Sequence, residues 1–338
     1  MIDIPDPHTV IYSTLDNSQL KLDYFLPSNA TGSLPAIVCF HGGGMTVGDR
    51  RMGPGMPIWL FELAAANGMI LISPDYHLLF PSSGFDNIAD VKTLFRFLST
   101  DINKHIPDVT LDASRIAVTG ISGGCYPARL AALYAEPRPR AFLSLYGMGG
   151  NWFLDHWLAL KSTSMPYFGY TVSQEAGAKF ARFANSKPIV DLPVSWNSAT
   201  NKIEDEMGRM GLLLWWWQNG TYVDYVSGEV GLSERLRALP VTEREAAVPA
   251  NLTAPFPQLH IDSSFPPTML IHGKDDTVVP PAESEYTHKQ LLAAGVRSEL
   301  HILPGAEHGL LVLPGFTRAP LAEGLYKKGF EFLAKELA

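Results

Sequence analysis

The sequence predicts an α/β architecture: a mostly parallel eight-stranded sheet flanked by helices, with a helical cap inserted after the sixth strand. Three observations carry this. Short apolar, β-branched runs alternate with segments of helical spacing up to about residue 146. That rhythm stops over 147–265 and resumes at 266. A Gly-x-Ser-x-Gly turn, residues 120–124, joins a strand-like run to a helix-like one. The expected division is a first core part over 1–146, a cap over 147–265 and a second core part over 266–338.

Each element has a local reason. His8 to Leu15 and Gln19 to Leu26 alternate polar and apolar residues around Asp16-Asn17-Ser18, which reads as a hairpin. A loop from Pro27 to Pro35 leads to Ala36–Phe40, a continuous apolar run fit for a strand covered on both faces. Ile58 to Ala66 reads as a helix stopped by Asn67-Gly68, and Met69–Ser73 as the next strand. Ile88, Val91, Leu94, Phe95 and Leu98 recur at helical spacing, ahead of a strand at Arg115–Thr119 and another at Ala141–Tyr146. Beyond the break, strands are expected at Thr268–His272 and Glu299–Leu303, with a helix from Glu283 to Ala294 between them. A last amphipathic helix carries Leu321, Leu325, Phe330, Leu333 and Leu337.

Composition narrows the class. Of 338 residues, 46% are hydrophobic and 18% charged, the balance of a chain that buries a large core rather than a disordered one. A net charge of −8 without any Lys/Arg run argues against a nucleic-acid surface. No stretch reaches the roughly 20 apolar residues of a membrane span. Met1–Pro7 lacks the basic-then-apolar pattern of a secretory signal, so a cytoplasmic location is expected, and the sequons at Asn29, Asn219 and Asn251 read as accidents. Cys39 and Cys125, the two cysteines, are expected as buried free thiols.

The turn at Gly120-Ile121-Ser122-Gly123-Gly124 is the chemical centre of the sequence. A serine on a sharp strand-to-helix turn is lifted above the sheet edge, and glycines two residues before and after it avoid a Cβ clash. A serine hydroxyl needs a base, usually histidine, which an acid orients. On such a sheet the chain order is Ser, then Asp or Glu, then His. Directly after a strand, His272–Pro280 offers Asp275 and Asp276, and the loop Gly305–Leu310 offers His308.

With His41-Gly42-Gly43-Gly44, Asp75-Tyr76-His77-Leu78, Gly120–Gly124, His272–Pro280 and His308 in this order, the chain resembles the α/β-hydrolases. It is most similar to the His-Gly-Gly-Gly esterases and lipases, the hormone-sensitive-lipase-like group. The resemblance covers nearly everything outside the cap. It implies a triad of Ser122, His308 and Asp276, with Asp275 as the competing acid, and an oxyanion site made by the amides of Gly43, Gly44 and Gly123. It also implies a serine hydrolase that cleaves a carboxylic ester of a small or medium-sized, bulky apolar metabolite through an acyl-enzyme and uses no cofactor or metal. The alternatives with the same parts are a thioesterase, lactonase, C–C hydrolase, acyltransferase or non-hydrolytic enzyme of polyketide-like metabolism. A non-catalytic ligand binder is a third class, disfavoured because no triad member is missing. A prolyl-peptidase likeness is disfavoured because only about 35 residues precede the His-Gly-Gly-Gly strand.

The expected partner is a small acyl substrate, neither nucleic acid nor membrane, with monomer and homodimer both open. The block Leu212–Trp217 reads first as cap core, with Trp215 and Trp216 as candidate substrate-wall residues. His41 and His272 are expected to brace loops, and Glu204-Asp205-Glu206 to form a charged first helical turn.

Overall fold

In the computed structural model, which describes residues 6–15, 18–197 and 202–338, the chain begins with the antiparallel strands β1 (His8–Leu15) and β2 (Ser18–Phe25). Residues 16 and 17 of the expected hairpin turn lie outside the described residues. Then follow β3 (Gly32–Phe40), α1 (Ile58–Ala66), β4 (Ile70–Pro74), α2 (Gly84–Thr100), β5 (Val109–Ile121), α3 (Cys125–Tyr134) and β6 (Phe142–Leu145). An insertion carries α4 (Asp155–Leu158), α5 (Gln174–Ala178), the hairpin strands β7 (Val194–Asn197) and β8 (Lys202–Asp205), α6 (Met210–Asn219), α7 (Tyr222–Ser227) and α8 (Leu232–Arg237). The chain closes with β9 (Thr268–Gly273), α9 (Ala282–Ala293), β10 (Ser298–Leu303), the short pair β11 (Leu311–Val312) and β12 (Thr317–Arg318), and α10 (Ala322–Leu337).

Eight strands form one sheet in the order β1-β2-β4-β3-β5-β6-β9-β10. β1, β2 and β4 pair antiparallel, and every other pair is parallel. This is the α/β-hydrolase fold. The parallel strands are continuous apolar runs because both sheet faces are covered. Side-chain alternation sorts β3 cleanly. Ala36, Val38 and Phe40 pack with α2, α3 and the insertion on one face, while Ile37 and Cys39 pack with α1 and α10 on the other. Both cysteines are free and buried.

Helix α2 shows how the sequence sets a boundary. Ser83 Oγ accepts from the Phe85 amide at 3.3 Å and Asp86 Oδ2 from the Ser83 amide at 2.7 Å, so the helix starts at Gly84. Strand β5 begins at Val109, six residues before the expected start, because Val109–Leu111 pair with Gly32–Leu34 of a likewise extended β3. Leu321 precedes α10 and is exposed, so the final helix buries Phe330, Leu333 and Leu337 without it.

The insertion leaves the sheet after β6 and returns at β9, which pairs directly with β6. It is not wholly helical, since β7 and β8 form a hairpin within it. Glu204-Asp205-Glu206 is not a first helical turn. Asp205 ends β8 and accepts from the amides of Met207, Arg209 and Met210 at 2.8–3.0 Å, which caps α6 from outside. The insertion is tied down through side chains of the core helices. Tyr126 Oη and Tyr134 Oη of α3 donate to the carbonyls of Pro255 and Ala254 at 2.7 and 2.9 Å. Glu283 of α9 accepts from the Gly150 amide at 2.7 Å and from the Trp157 indole.

Glu283 is fully enclosed, and burial raises its carboxyl to about 7 against the pull of the Gly150 amide, Arg129 and the Trp157 indole. The folded chain therefore holds this proton more tightly than the unfolded chain, whose value is near 4.5. Its contribution is full below pH 4.5 and is lost as the pH rises toward 7. Urea unfolding across that window is expected to show stability falling with pH, and less steeply in Glu283→Gln; equal slopes would contradict it.

Candidate active site

Strand β5 ends at Ile121 and delivers Ser122 with φ of 54°, a left-handed conformation in a non-glycine residue. The turn is possible because its neighbours have no side chain. A Cβ on Gly120 would lie 2.3 Å from the Gly124 carbonyl oxygen, and one on Gly124 would lie 2.3 Å from the carbonyl oxygens of Phe40 and His41. The elbow is thus packed against the end of β3, which carries the glycine-rich loop.

His308 follows β10 and meets Ser122 across the sheet edge. Its Nε2 lies 2.8 Å from Ser122 Oγ and its Nδ1 2.8 Å from Asp276 Oδ2. Asp276 is buried after β9, and its other oxygen accepts from the amides of Val278 and Val279 at 2.9 Å each. Asp275 is exposed, so the carboxylate that reaches His308 is that of Asp276. Burial raises the Asp276 carboxyl, but the His308 charge and hydrogen bonds from His272 and His308 outweigh it and hold the group well below the usual carboxylate range. An ionised Asp276 accepts a hydrogen bond from the Nδ1–H of His308, the tautomer whose Nε2 lone pair faces the serine hydroxyl.

Neighbouring groups hold these three in register. His272 bonds Ser284 Oγ at 2.8 Å and the Val279 carbonyl at 2.9 Å, bracing the acid loop. Glu307, which the sequence did not single out, ties that loop to the histidine loop. It accepts from the amides of Thr277 and His308 at 3.0 Å each and from Thr277 Oγ1 at 2.6 Å. The His308 ring lies between the edge-on rings of Tyr146 and Tyr167, at 5.2 and 5.7 Å. His41 stacks on Tyr76 at 4.3 Å, and burial lowers it to about 4, so it is neutral near pH 7.

The loop after β3 turns through three successive left-handed residues, Gly43, Gly44 and Met45, with φ of 99°, 58° and 57°. Gly123 packs directly on it, because a Cβ there would lie 2.8 Å from the Gly44 and Met45 nitrogens. The Gly43 and Gly44 amides donate to no acceptor among the described residues. Free N–H groups beside a serine suit a developing negative charge on oxygen.

Above Ser122 opens a cavity of about 640 Å³. His41, Gly43, Gly44, Ser122 and His308 form its floor, and the walls are mainly apolar, with Tyr167, Phe168, Trp196, Met210, Leu213 and Phe316 prominent. Trp215 and Trp216 are not part of this lining, which corrects the sequence reading. α6 meets the cavity through Met210 and Leu213 of its first turn. One turn on, Trp216 is buried and stacked on Tyr225 at 4.0 Å, and the Trp215 ring covers Gly177. The walls were not legible in the sequence because they come from segments without periodicity. Among the described residues no three His, Cys, Asp or Glu side chains cluster as a metal site, and no helix is long and apolar enough to cross a membrane.

Two family models match parts of the chain. Residues 22–145, spanning the glycine loop and Ser122, match the BD-FAE family model. Residues 241–337, spanning Asp276 and His308, match the prolyl oligopeptidase family model, so the sequence argument against that likeness does not extend to this part of the chain. A probable carboxylesterase M8 of Phoma sp. is 32% identical over 40% of this chain and 45% of its own length. Non-reducing polyketide synthase adrD of Penicillium roqueforti is 23% identical over 96% of this chain, and mapC' of Penicillium brevicompactum 26% over 96%. The chain spans only 13% and 15% of those two synthases. Among solved structures, Thermogutta terrifontis esterase 2 with bound butyrate aligns with a TM-score of 0.57 at 21% identity, over 99% of this chain and 94% of that one. The same esterase phosphonylated by sarin aligns with a TM-score of 0.54 at 18% identity, over 98% and 93%.

The contact between the two loops has a measurable cost if crowded. Gly123→Ala would set a methyl carbon against backbone that cannot yield cheaply, and a loss of about 1–3 kcal/mol is expected in urea unfolding. Unchanged stability would mean the loops do not meet as described.

Proposed function

We propose that the chain is an α/β-hydrolase of the esterase type, a serine hydrolase whose triad is Ser122, His308 and Asp276. The observation that carries the reading is the pair of 2.8 Å contacts made by the two His308 nitrogens. In this mechanism Ser122 Oγ attacks a carbonyl carbon while His308 Nε2 takes its proton. Asp276 keeps the Nδ1 proton in place and stabilises the imidazolium. The carbonyl oxygen becomes an oxyanion held by the amides of Gly43, Gly44 and Gly123. Collapse expels the alcohol, protonated by His308. Water from the cavity, deprotonated by the same histidine, then releases the acid and restores the serine.

The substrate class follows from the room above the serine. A cavity of about 640 Å³ with largely apolar walls suits a bulky, ring-containing acyl or alcohol group better than a short chain. The insertion supplies Tyr167, Phe168, Trp196, Met210 and Leu213 to those walls and so acts as a cap.

A second reading is favoured by one observation. The similarity to non-reducing polyketide synthases runs along nearly the whole chain, 96% in the adrD and mapC' comparisons. On that reading the bond cleaved is the thioester of an aromatic polyketide-like acid, with the same attack and a thiol leaving.

Purified chain is expected to hydrolyse p-nitrophenyl butyrate. Ser122→Ala should lower kcat by about 1,000-fold or more and Asp276→Asn by about 10,000-fold; rates equal to wild type would end the proposal. An N-acetylcysteamine thioester and an ethyl ester of one naphthoic acid decide between the readings. A higher kcat/KM for the thioester, lost in Ser122→Ala, supports the second.

A further inference from the structure

The glycine loop is strained, and what holds it comes in large part from the insertion. Its carbonyls are nearly all engaged. Gly43 O accepts from the amides of Thr46 and Val47 at 3.0 and 3.2 Å, which fixes the Gly43–Gly44 peptide from within the loop. Gly44 O accepts from Tyr222 Oη of α7. Thr46 O accepts from Arg209 Nε at 3.1 Å. The same guanidinium donates through Nη2 to the carbonyls of Leu79 and Phe80 at 2.6 and 2.8 Å, and Leu79 in turn donates its amide to Met45 O at 2.7 Å. Gly48 exchanges backbone hydrogen bonds with Leu192 at 2.8 and 2.9 Å. Leu213 closes over Gly44, where an added Cβ would lie 2.1 Å from Leu213 Cδ1. On the opposite side Tyr76 Oη donates to His41 O at 2.8 Å.

From this we infer that Tyr222 is a positioning residue for the oxyanion site, acting through Gly44, and that the insertion is a clamp on the glycine loop as well as a wall of the cavity. The inference rests on the proposed role of the Gly43, Gly44 and Gly123 amides. The Gly44 N–H belongs to the peptide whose carbonyl is Gly43 O, held within the loop. The next peptide carries Gly44 O, held by Tyr222. Glycine has no Cβ to limit its dihedrals, so Gly44 keeps its aim only if the planes on both sides are fixed. Tyr222 fixes the second plane, and it does so from a rigid mount. Its ring is fully buried among Trp152, Trp157 and Trp216, with centroids at 5.4, 5.2 and 5.3 Å. Burial pushes its hydroxyl far above the usual phenol value, so it is a permanent donor at any physiological pH.

Tyr222→Phe is the test, because the phenyl ring preserves the packing and only the hydroxyl is lost. Active sites are titrated with a fluorophosphonate, so that misfolded protein does not count, and kcat and KM for p-nitrophenyl butyrate are measured per titrated site. Two inhibitors follow. A trifluoromethyl ketone accepts Ser122 Oγ at its carbonyl carbon, passing the hydroxyl proton to His308 and leaving an oxyanion. The matching trifluoromethyl alcohol fills the cavity without adding the serine. The expected result is a kcat lowered about 10- to 100-fold with KM within about threefold, and ketone inhibition weakened by the same factor with alcohol inhibition unchanged. A tyrosine that only packs would alter the titrated fraction or the melting temperature and leave that ratio alone. A per-site kcat and a ketone-to-alcohol ratio equal to wild type would overturn the inference while leaving the serine mechanism intact. Wild-type protein that is never labelled at Ser122 would overturn both. Should Tyr222→Phe fail to fold, Arg209→Lys gives up the forked contacts to Thr46, Leu79 and Phe80 and is expected to shift the same ratio in the same direction; no shift would count against the clamp.

Discussion

The active site depends on a shortage of space between two strand ends. Where β3 and β5 stop side by side, the backbone of the serine elbow and of the glycine loop are in contact. Gly124 leans on the carbonyls of Phe40 and His41, Gly123 on the backbone of Gly44 and Met45, and Gly120 on Gly124. Each of these contacts excludes a Cβ. The left-handed Ser122, Gly43, Gly44 and Met45 cluster here, and strain of order 1–3 kcal/mol per non-glycine residue is sustained by the surrounding packing. The rest of the fold serves this junction: a sheet buried on both faces fixes where the two strands end, and the helices behind it keep the ends from parting.

The remaining groups arrive from far along the chain, and each is held by more than one bond. Asp276 is caught between two backbone amides, His272 and His308. Glu307 joins the loops that carry Asp276 and His308 by accepting from an amide of each. Arg50 is buried and bridges Asp23 and Asp75 at 2.9 and 3.0 Å. The insertion adds a third layer of restraint through Tyr222, Arg209 and Leu192, so the chamber wall and the floor of the site are one mechanical unit.

Much of this was legible in the sequence because the signals are local. Fully covered strands such as Ala36–Phe40 read as apolar runs, α2 announces itself by the spacing of its apolar residues, and glycine at 120 and 124 records a steric demand that no other residue meets. The mostly parallel sheet followed from the alternation, since strands separated by helices pair in parallel with helices on both faces. What was not legible depends on which way side chains face after the insertion folds. Trp215 and Trp216 look like a substrate wall in a hydrophobic block, yet the helix turns Met210 and Leu213 to the cavity and gives Trp216 to Tyr225. The β7–β8 hairpin and the Asp205 cap were missed because short strands of mixed polarity carry no strong period. Glu307 was missed because a carboxylate that braces two loops looks, in sequence, like any surface acid.

The central claim is that the glycine loop and the elbow present their amides to an oxygen on Ser122. A crystal structure of the chain after reaction with a phosphonate ester tests it most directly. The account predicts phosphorus bonded to Ser122 Oγ, with the phosphoryl oxygen about 2.7–3.1 Å from the nitrogens of Gly123 and of Gly43 or Gly44. A phosphoryl oxygen turned away from all three amides, or phosphorus bonded to another side chain, would contradict it.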